Sequence, residues 1–526
     1  MSRTRVHLPM IAACIAWLTT AATAGAAVAL DPTFGTGGMV RTAFGTNQFD
    51  TPSDLLVMPD GRILVAGMTT SGDSWFVAMA RYSSSGVPDA TFGSGGSMSH
   101  NFFLRDHANG IALQNDGRIV ACGMQAHTNF ASDQTPSVYR FNEDGSVDTT
   151  FGNGGYTALQ YDAASSGEHF DVAVRWNGSI IAGGRSGAAA AGGETSFGVK
   201  RYDGNGVQTS SVRRGPQVLP QRGSCAIAAD GSLAWASAWV SAFQVQFVLA
   251  RLDSLGESVS TFGTNGTLVT GIVASGGRQV RVLMQPDGRI LLAGTTPDES
   301  TLDRFSVFRF HFDGTPDSSF GFNGRVDLDF TPGQERCEDA ALMADGRIVL
   351  AGTGGFGSDQ ACLARLMPDG SPDESFAPGG KFISSLGLIN ARLHRIRLLP
   401  GGVILAAGVD ASVPGGDFLL AKFIAPTTGV GDPPASVPMA RIFPNPSREQ
   451  FAIDAPMVAP GFVTMTIVDG AGRRIRDVHA GTLAAGTHRF VWDGRDEAGR
   501  ATPAGVYYLR CSAGSGVGRA RLIRIR

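Results

Sequence analysis

"PDATFGSGG", residues 88–96, decides how this chain folds. An aspartate beside a glycine-rich turn suits a phosphate cradle, a calcium loop or a structural turn. The stretch does not stand alone. Asp-x-x-Phe-Gly-x-x-Gly, or a close variant, centres on Phe34, Phe92, Phe151, Phe262, Phe320 and Phe376, with a degraded copy at Val212. A second signature, Asp-Gly-Arg-Ile leading through apolar residues to Ala-Gly, has its turn glycines at Gly61, Gly117, Gly178, Gly231, Gly288, Gly346 and Gly402. Those glycines span 341 residues in six steps, about 57 per unit. A third signature is an apolar run ending in a cation and a large apolar residue, from Arg81-Tyr82 to Lys422-Phe423.

Three signatures in fixed order make seven units, each with about four short strand-like runs. A four-stranded sheet cannot bury both faces alone, but stacking in a ring covers them. The expected fold is therefore all-β: a seven-bladed β-propeller of four-stranded blades over 30–424. The ends favour closure. The first Phe-Gly copy, Asp31 to Gly38, has no cation strand before it, and the last cation strand has no Phe-Gly copy after it. The strand after Gly38 is expected to become the outer strand of blade seven, which leaves no open end.

In order and spacing the units resemble delta-sixty-type propeller repeats, relatives of the NHL and WD-type propellers. The fourth unit departs from the pattern. "GNGVQTSSVRRG" lacks the Phe-Gly core, and "DGSLAWAS" replaces the usual second strand, so local irregularity is expected there.

Spacing decides what the repeated loop does. Arg81 to Phe92, Arg140 to Phe151, Arg251 to Phe262, Arg309 to Phe320 and Arg365 to Phe376 are all 11 residues. A fixed length implies a turn of fixed geometry. Asp89, Asp148, Asp317 and Asp373 are placed to accept from backbone N–H groups or from the cation eight residues earlier. Phe92, Phe151, Phe320 and Phe376 are expected to pack between blades. By closure, Lys422 should serve Asp31 as Arg81 serves Asp89. No Gly-Lys-Ser/Thr follows the glycines, as a phosphate loop needs, and no EF-hand ligand series is present. The loop reads as a structural turn, with no metal ligands and no cofactor.

Naming the strands a to d outward from the axis, the a–b and c–d turns fall on one rim and the b–c and d–a connections on the other. The b–c connections vary: from the last strand-b glycine to the cation the count runs from 13 (Gly352 to Arg365) to 17 (Gly123 to Arg140). Variable loops on a rigid ring are the natural recognition surface. At the entrance to strand a, alignment on the turns brings Asp54, Gly110, Asp171, Ser224, Arg281, Asp339 and Arg395 into one column. Asp54, Asp171, Arg281, Asp339 and Arg395 are candidate ligand-binding residues at the channel mouth. The competing expectation is that they neutralise one another and fill the channel. No His-Glu-x-x-His run and no Gly-x-Ser-x-Gly elbow appear, so no catalytic residue is assigned. A carboxylate pair built across blades stays open as an alternative.

The ends of the chain read differently. Arg3 and Arg5, the apolar run to Leu18 and the small residues at 22–24 and 27–29 form an export leader, 1–29, with cleavage expected after Ala29 and Ala24 as the alternative. No second stretch approaches the roughly 20 apolar residues of a membrane span. Charged residues are 17% with a net charge of −3, which does not suit a nucleic-acid binder. Past Cys14, five cysteines remain, too few and too scattered for a disulfide framework. Cys122 reads as a buried thiol, and Cys337 and Cys362, which fall in one repeat, could pair in an oxidising compartment. Residues 425–441 are a Pro/Gly-rich linker. "FPNP" at 443–446, "VWDGRDEAGR", "AGVYYLRC" and the closing "RARLIRIR" read as a β-sandwich over 442–526 with Trp492 as core anchor. They resemble the immunoglobulin-like domain of flagellar hook-capping proteins and the C-terminal domains of secreted bacterial proteins, type-nine sorting domains included. That resemblance implies export or surface attachment, with the secretion or anchoring machinery as partner. The whole is expected to be an extracellular or outer-surface protein that recognises a protein or glycan. A polysaccharide hydrolase or lyase, or a structural surface component, are the alternatives.

Overall fold

The computed structural model describes residues 28–525 apart from 129–132, 161–164, 176–177, 189–194, 215–219, 228–231, 241–243, 254–256, 276–278, 286, 299–301, 426–440, 458–460, 470–473, 484–485 and 514–515. The leader through residue 27, Cys14, Gly231 and most of the linker lie outside the described residues.

Antiparallel four-stranded sheets follow one another along the chain. Blade 1 is Thr51–Val57, Ile63–Ser71, Ser74–Tyr82 and Ser97–His100. Blade 6 is Arg336–Leu342, Ile348–Gly354, Gln360–Leu366 and Lys381–Ser384. Blades 2 to 5 repeat the pattern, with a single parallel bridge, Trp75 to Arg105, joining blades 1 and 2. Blade 7 draws strands a, b and c from Ala391–Leu399, Val403–Asp410 and Asp417–Ile424. Its outer strand is Met39–Thr42, paired antiparallel from Met39 opposite Ala421 to Thr42 opposite Phe418. The N-terminal segment closes the seven-bladed ring. Val28 and Ala29 belong to that closure. The Val28 N–H bonds the Phe376 carbonyl, Val28 is buried beside Phe376 and Phe423, and Ala29 pairs with Ile424.

The core lies between blades. Strand b is covered on both faces, so it reads as a continuous apolar run; Ile119–Ala126 is buried throughout. Leu405, Ala407, Phe418 and Leu420 of blade 7 pack with Phe34, Leu55, Ile63 and Val65 across the seam to blade 1.

The repeated loop is an inter-blade joint. The Arg81 Nε lies 2.8 Å from Asp89 Oδ2, and Arg140–Asp148, Arg309–Asp317 and Arg365–Asp373 repeat the contact at 2.7 Å. The other aspartate oxygen accepts from the residue two places on: the Thr91 N–H at 3.0 Å and its hydroxyl at 2.7 Å. Those bonds, with Arg81 behind them, hold the Asp89 carboxyl at about 2. Both oxygens of the carboxylate are thus engaged by the chain itself. Each guanidinium also lies over the motif ring, 4.6–4.9 Å from the centroids of Phe92, Phe151, Phe320 and Phe376. The joint then reaches the next blade. Gly93 N–H donates to the Asp144 carbonyl, and Phe92 packs so tightly on Gly145 that a side chain there would enter the ring. At the closure, Lys422 Nζ sits 3.0 Å from Asp31 and over Phe34.

The irregular unit lies where the signatures fail. Without the Phe-Gly loop, the outer strand of blade 3, Gln208–Arg214, turns straight back against Thr195–Tyr202. Cys337 and Cys362 both pair with Gly352, so a whole strand lies between them, and two strand spacings exceed a disulfide's reach. All five described cysteines are free.

Residues 441–524 form two sheets. One is Arg441–Phe443, Phe451–Met457 and Gly486–Trp492; the other is Arg474–Leu483, Gly461–Asp469, Gly505–Ala513 and Gly516–Arg524. Trp492 is buried between Phe451 and Tyr507, ring centroids 5.4 and 5.2 Å away, and its N–H reaches the Arg495 carbonyl.

Candidate functional site

The column opens strand a, just after a β-bulge. The register skips Ser53, Asn109, Phe170, Glu338 and His394 immediately before Asp54, Gly110, Asp171, Asp339 and Arg395. Strand b explains how the bulge fits. Gly67, Gly123, Gly184, Gly352 and Gly408, the glycines of the Ala-Gly signature, face the carbonyls of Thr51, His107, Glu168, Arg336 and Arg392, and a Cβ at any of them would collide with that oxygen. In blade 4 Ser237 takes the glycine's place, and the register breaks more widely, between Pro220 and Gly223. A bulge re-aims the side chains around it. Here it turns the column inward and the residues one and three places earlier toward the variable rim.

The column closes on itself. Arg281 reaches Asp339 at 2.8 Å, an ion pair outside hydrogen-bond geometry, and Asp171 at 3.6 Å. Arg397 reaches Asp54 at 2.7 Å and Asp339 at 3.8 Å, and Arg395 lies 3.8 Å from Asp54. Side chains from neighbouring blades 5, 6, 7 and 1 thus pair at the floor, and Arg281 also reaches past blade 4 to Asp171 of blade 3. The acceptors also stitch neighbouring blades: Asp54 takes the Ile111 N–H, Asp171 that of Cys225, Ser224 that of Val282 and Asp339 that of Ile396. Gly110, Arg281 and Arg395 cannot accept. After Gly110 and Arg395 the next blade's aspartate folds back onto its own neighbour, Asp171 onto Val172 and Asp54 onto Leu55, whereas after Arg281 the facing Asp339 oxygen lies against the Arg281 guanidinium itself. Burial opposes charge on Asp54, yet Arg397, Arg395 and Arg281 hold its carboxyl below the usual range. Burial, with Asp54 adding repulsion, pushes Asp171 up. Burial and the nearby Arg281 lower Arg395.

Above this floor opens a funnel of 740 Å³ on the variable rim. Thr51, His107, Glu168, Arg336 and Arg392, three places before the column, line it together with Ser53, Asn109, Phe170, Glu338 and His394, one place before. Phe49, Trp75, Gln134 and Gln279 are among the other residues of the wall. Of the five candidate residues from the column, Arg395 lines the funnel; Asp54, Asp171, Arg281 and Asp339 lie beneath it. In five blades the recurring strand-b glycine lies opposite the bulge and was the sequence signal for the layer that faces solvent. Blade 5 keeps the glycine, Gly294, but its register runs unbroken from Val280 opposite Gly294 to Arg281 opposite Ala293.

Glu168 is the best-held group in the wall. Arg185 lies 3.0 Å from one of its oxygens, His107 3.4 Å from the other. Burial disfavours its charge, but His107 and Arg185 outweigh it and hold the carboxyl at about 2. Glu168 is therefore an acceptor at neutral pH, not a proton donor. His394 Nδ1 is 3.1 Å from the Pro52 carbonyl, and Arg392 Nε 2.5 Å from Asp359.

A second buried set shapes the rim. Asp50, Asp106 and Glu335, four places before the column, have no exposed surface. Asp50 accepts the Phe44 N–H, Asp106 those of Phe102 and Phe103, and Glu335 those of Phe330 and Thr331. Each ties down a d–a connection. Burial pushes Asp106 up to about 6 and Glu335 up to about 7. Among the described residues, no group of three or more His, Cys, Asp or Glu is placed to hold a metal ion. No described helix is long and apolar enough to cross a membrane.

Family comparison agrees with the architecture. Residues 59–92, 114–151, 285–320 and 344–376 match the β-propeller repeat of a domain of unknown function, DUF5122. Residues 449–516 match the FlgD Ig-like domain. The basal-body rod modification proteins FlgD of Salmonella typhimurium and Escherichia coli K12 are each 43% identical over 54 residues, 10% of this chain. The match spans 23% of the length of those curated relatives. Among solved structures, the chain is similar to PorZ, a surface component of the type-IX secretion system of Porphyromonas gingivalis (12% identity, 92% of this chain, 61% of that one, TM-score 0.39). It is also similar to a PL25 ulvan lyase (11%, 74% and 96%, 0.41) and to Drosophila Semaphorin 2a (10%, 90% and 95%, 0.41).

Proposed function

We propose that this chain, a ring of DUF5122 propeller repeats joined to a FlgD Ig-like domain, is an exported binding protein that holds an extracellular ligand in the funnel of its variable rim. One observation carries the reading: bulges in five blades turn polar side chains into a single concavity, while the opposite rim spends its repeated aspartates on holding blades together. The size and the mixture of aromatic and polar walls suit a small ligand or the end of a larger one. The C-terminal sandwich is the attachment module, and its partner is the export or anchoring machinery.

Export sets where the mature chain begins. Val28 and Ala29 are structural parts of the closure, so we place cleavage after Ala24 rather than after Ala29. Mass spectrometry of the secreted chain should find Gly25 first; Leu30 would refute this.

Binding is tested by screening immobilised glycans and cell-surface proteins with the full chain and two variants. Phe49 is 64% exposed on the funnel and Phe322 82% exposed on the opposite rim. Phe49→Ser with Glu338→Gln should weaken any specific ligand about tenfold, and Phe322→Ser should leave it unchanged. The reverse pattern would place recognition on the other rim and end this reading.

A further inference from the structure

The funnel's charges are unevenly spent. Glu168 is held by Arg185 and His107, Arg392 by Asp359, and Arg395 faces Asp54. Arg336 and Glu338 differ. Both line the funnel from strand a of blade 6, two residues apart, and among the described residues neither side chain has an ion pair or hydrogen bond, with each other or with anything else. Both are partly exposed, so water serves them in the free protein.

A ligand that displaces that water must satisfy both. Arg336 offers a planar fork of donors that matches a carboxylate. Glu338 offers only acceptors and needs hydroxyl or N–H donors. Gln134, Gln279 and Asn109 also line the funnel, each with one end of its amide bonded to the chain: the Gln134 oxygen accepts from Arg185, and the Gln279 and Asn109 NH2 groups donate to the Gly223 and His169 carbonyls. Phe49 and Phe170 add apolar surface. One acidic group, several hydroxyls and C–H faces on one ring describe an acidic sugar. A polyanionic peptide fits less well, since further carboxylates would meet Glu338 and Glu168. On the proposed reading that the funnel binds a ligand, we infer that the ligand is a carboxylate-bearing saccharide, its carboxylate on Arg336 and its hydroxyls on Glu338.

The test measures affinity of the full chain for oligogalacturonides and for oligomannuronates, each beside its carboxyl-reduced counterpart, and for poly-L-glutamate. At least one acidic oligosaccharide should bind about tenfold or more tightly than its reduced form, the scale of one lost charge-assisted contact. Arg336→Gln should abolish that preference with an unchanged melting temperature. Glu338→Gln should weaken binding severalfold and keep the preference. Arg510→Gln, on the exposed face of the C-terminal sandwich, should change nothing. Equal binding of acidic and reduced sugars, sensitive to Phe49→Ser, would overturn the acidic-sugar inference and leave the funnel as the binding site. Tighter binding of poly-L-glutamate through Arg336 would overturn it in favour of a peptide. No binding by either acidic oligosaccharide would overturn it as well, and binding insensitive to every funnel variant would end the broader reading too.

Discussion

Gly408 shows how one residue carries the architecture. It stands opposite the bulge of blade 7, and a Cβ would run into the Arg392 carbonyl. That oxygen is backbone and cannot swing aside, so strand a would have to give up its bulge. Gly408→Ala should destabilise the ring by about 3 kcal/mol or more, in the range of severe strain. Gly154, in the motif loop of blade 2, has open space around its Cβ and φ of +68°. Gly154→Ala should cost about 1 kcal/mol, the ordinary penalty of a left-handed residue. Urea denaturation of the two variants separates close approach from conformational strain; equal losses would refute the bulge account. The Ala-Gly signature was plain in the sequence. Its reason was not, because the oxygen that forbids a side chain belongs to a different strand.

Among elements, the closing strand and the d–a connections make separable predictions. Lys422 and Asp31 join the last cation strand to the first motif loop at 3.0 Å. Reversing Lys422 to Asp should lower the melting temperature, and adding Asp31→Lys should recover part of the loss, with a coupling on the order of 1 kcal/mol. Absence of coupling would remove the pair from the closure. Glu335 ties down the connection into blade 6 with no exposed surface. Its folded pKa, about 7, is raised from the ordinary 4.5 by burial, with Asp329 adding repulsion against the two N–H bonds and Lys381. A raised pKa means that the folded state binds the proton more tightly. The stabilising contribution is therefore complete below about 4.5 and lost as pH rises through about 7. Thermal melts from pH 5 to 8 should show the parent chain losing stability relative to Glu335→Gln, whose side chain does not titrate. Parallel curves would contradict the assignment. These carboxylates escaped the sequence reading because their partners are backbone groups of an irregular loop, which leave no residue signature.

At the scale of the molecule, the repeat made the ring and its closure legible: order, spacing and the missing half-units at each end all follow from seven equivalent blades. The site was legible by half. Alignment found the column at the channel mouth, but it counted residues along a regular strand. The bulge adds one residue, so the column turns inward to stitch blades, and Thr51, Glu168, Arg336, Glu338 and their equivalents take the outward place. Charge neutralisation at the floor depends on which side chains neighbouring blades bring together, Arg281 of blade 5 against Asp339 of blade 6 and Arg397 of blade 7 against Asp54 of blade 1, and spacing within one unit carries no such information.

On the proposed function the two rims divide the work, one holding the ring together and the other binding. Hydrogen–deuterium exchange of the full chain, with and without the tightest oligosaccharide, tests it directly. Protection is predicted over 44–53, 334–339 and 385–395, which border the arginine side of the funnel, with 83–96 and 142–155 on the opposite rim unchanged. Protection concentrated in 83–96 and 142–155 would make the repeated aspartate loop the binding site and overturn the division between the rims.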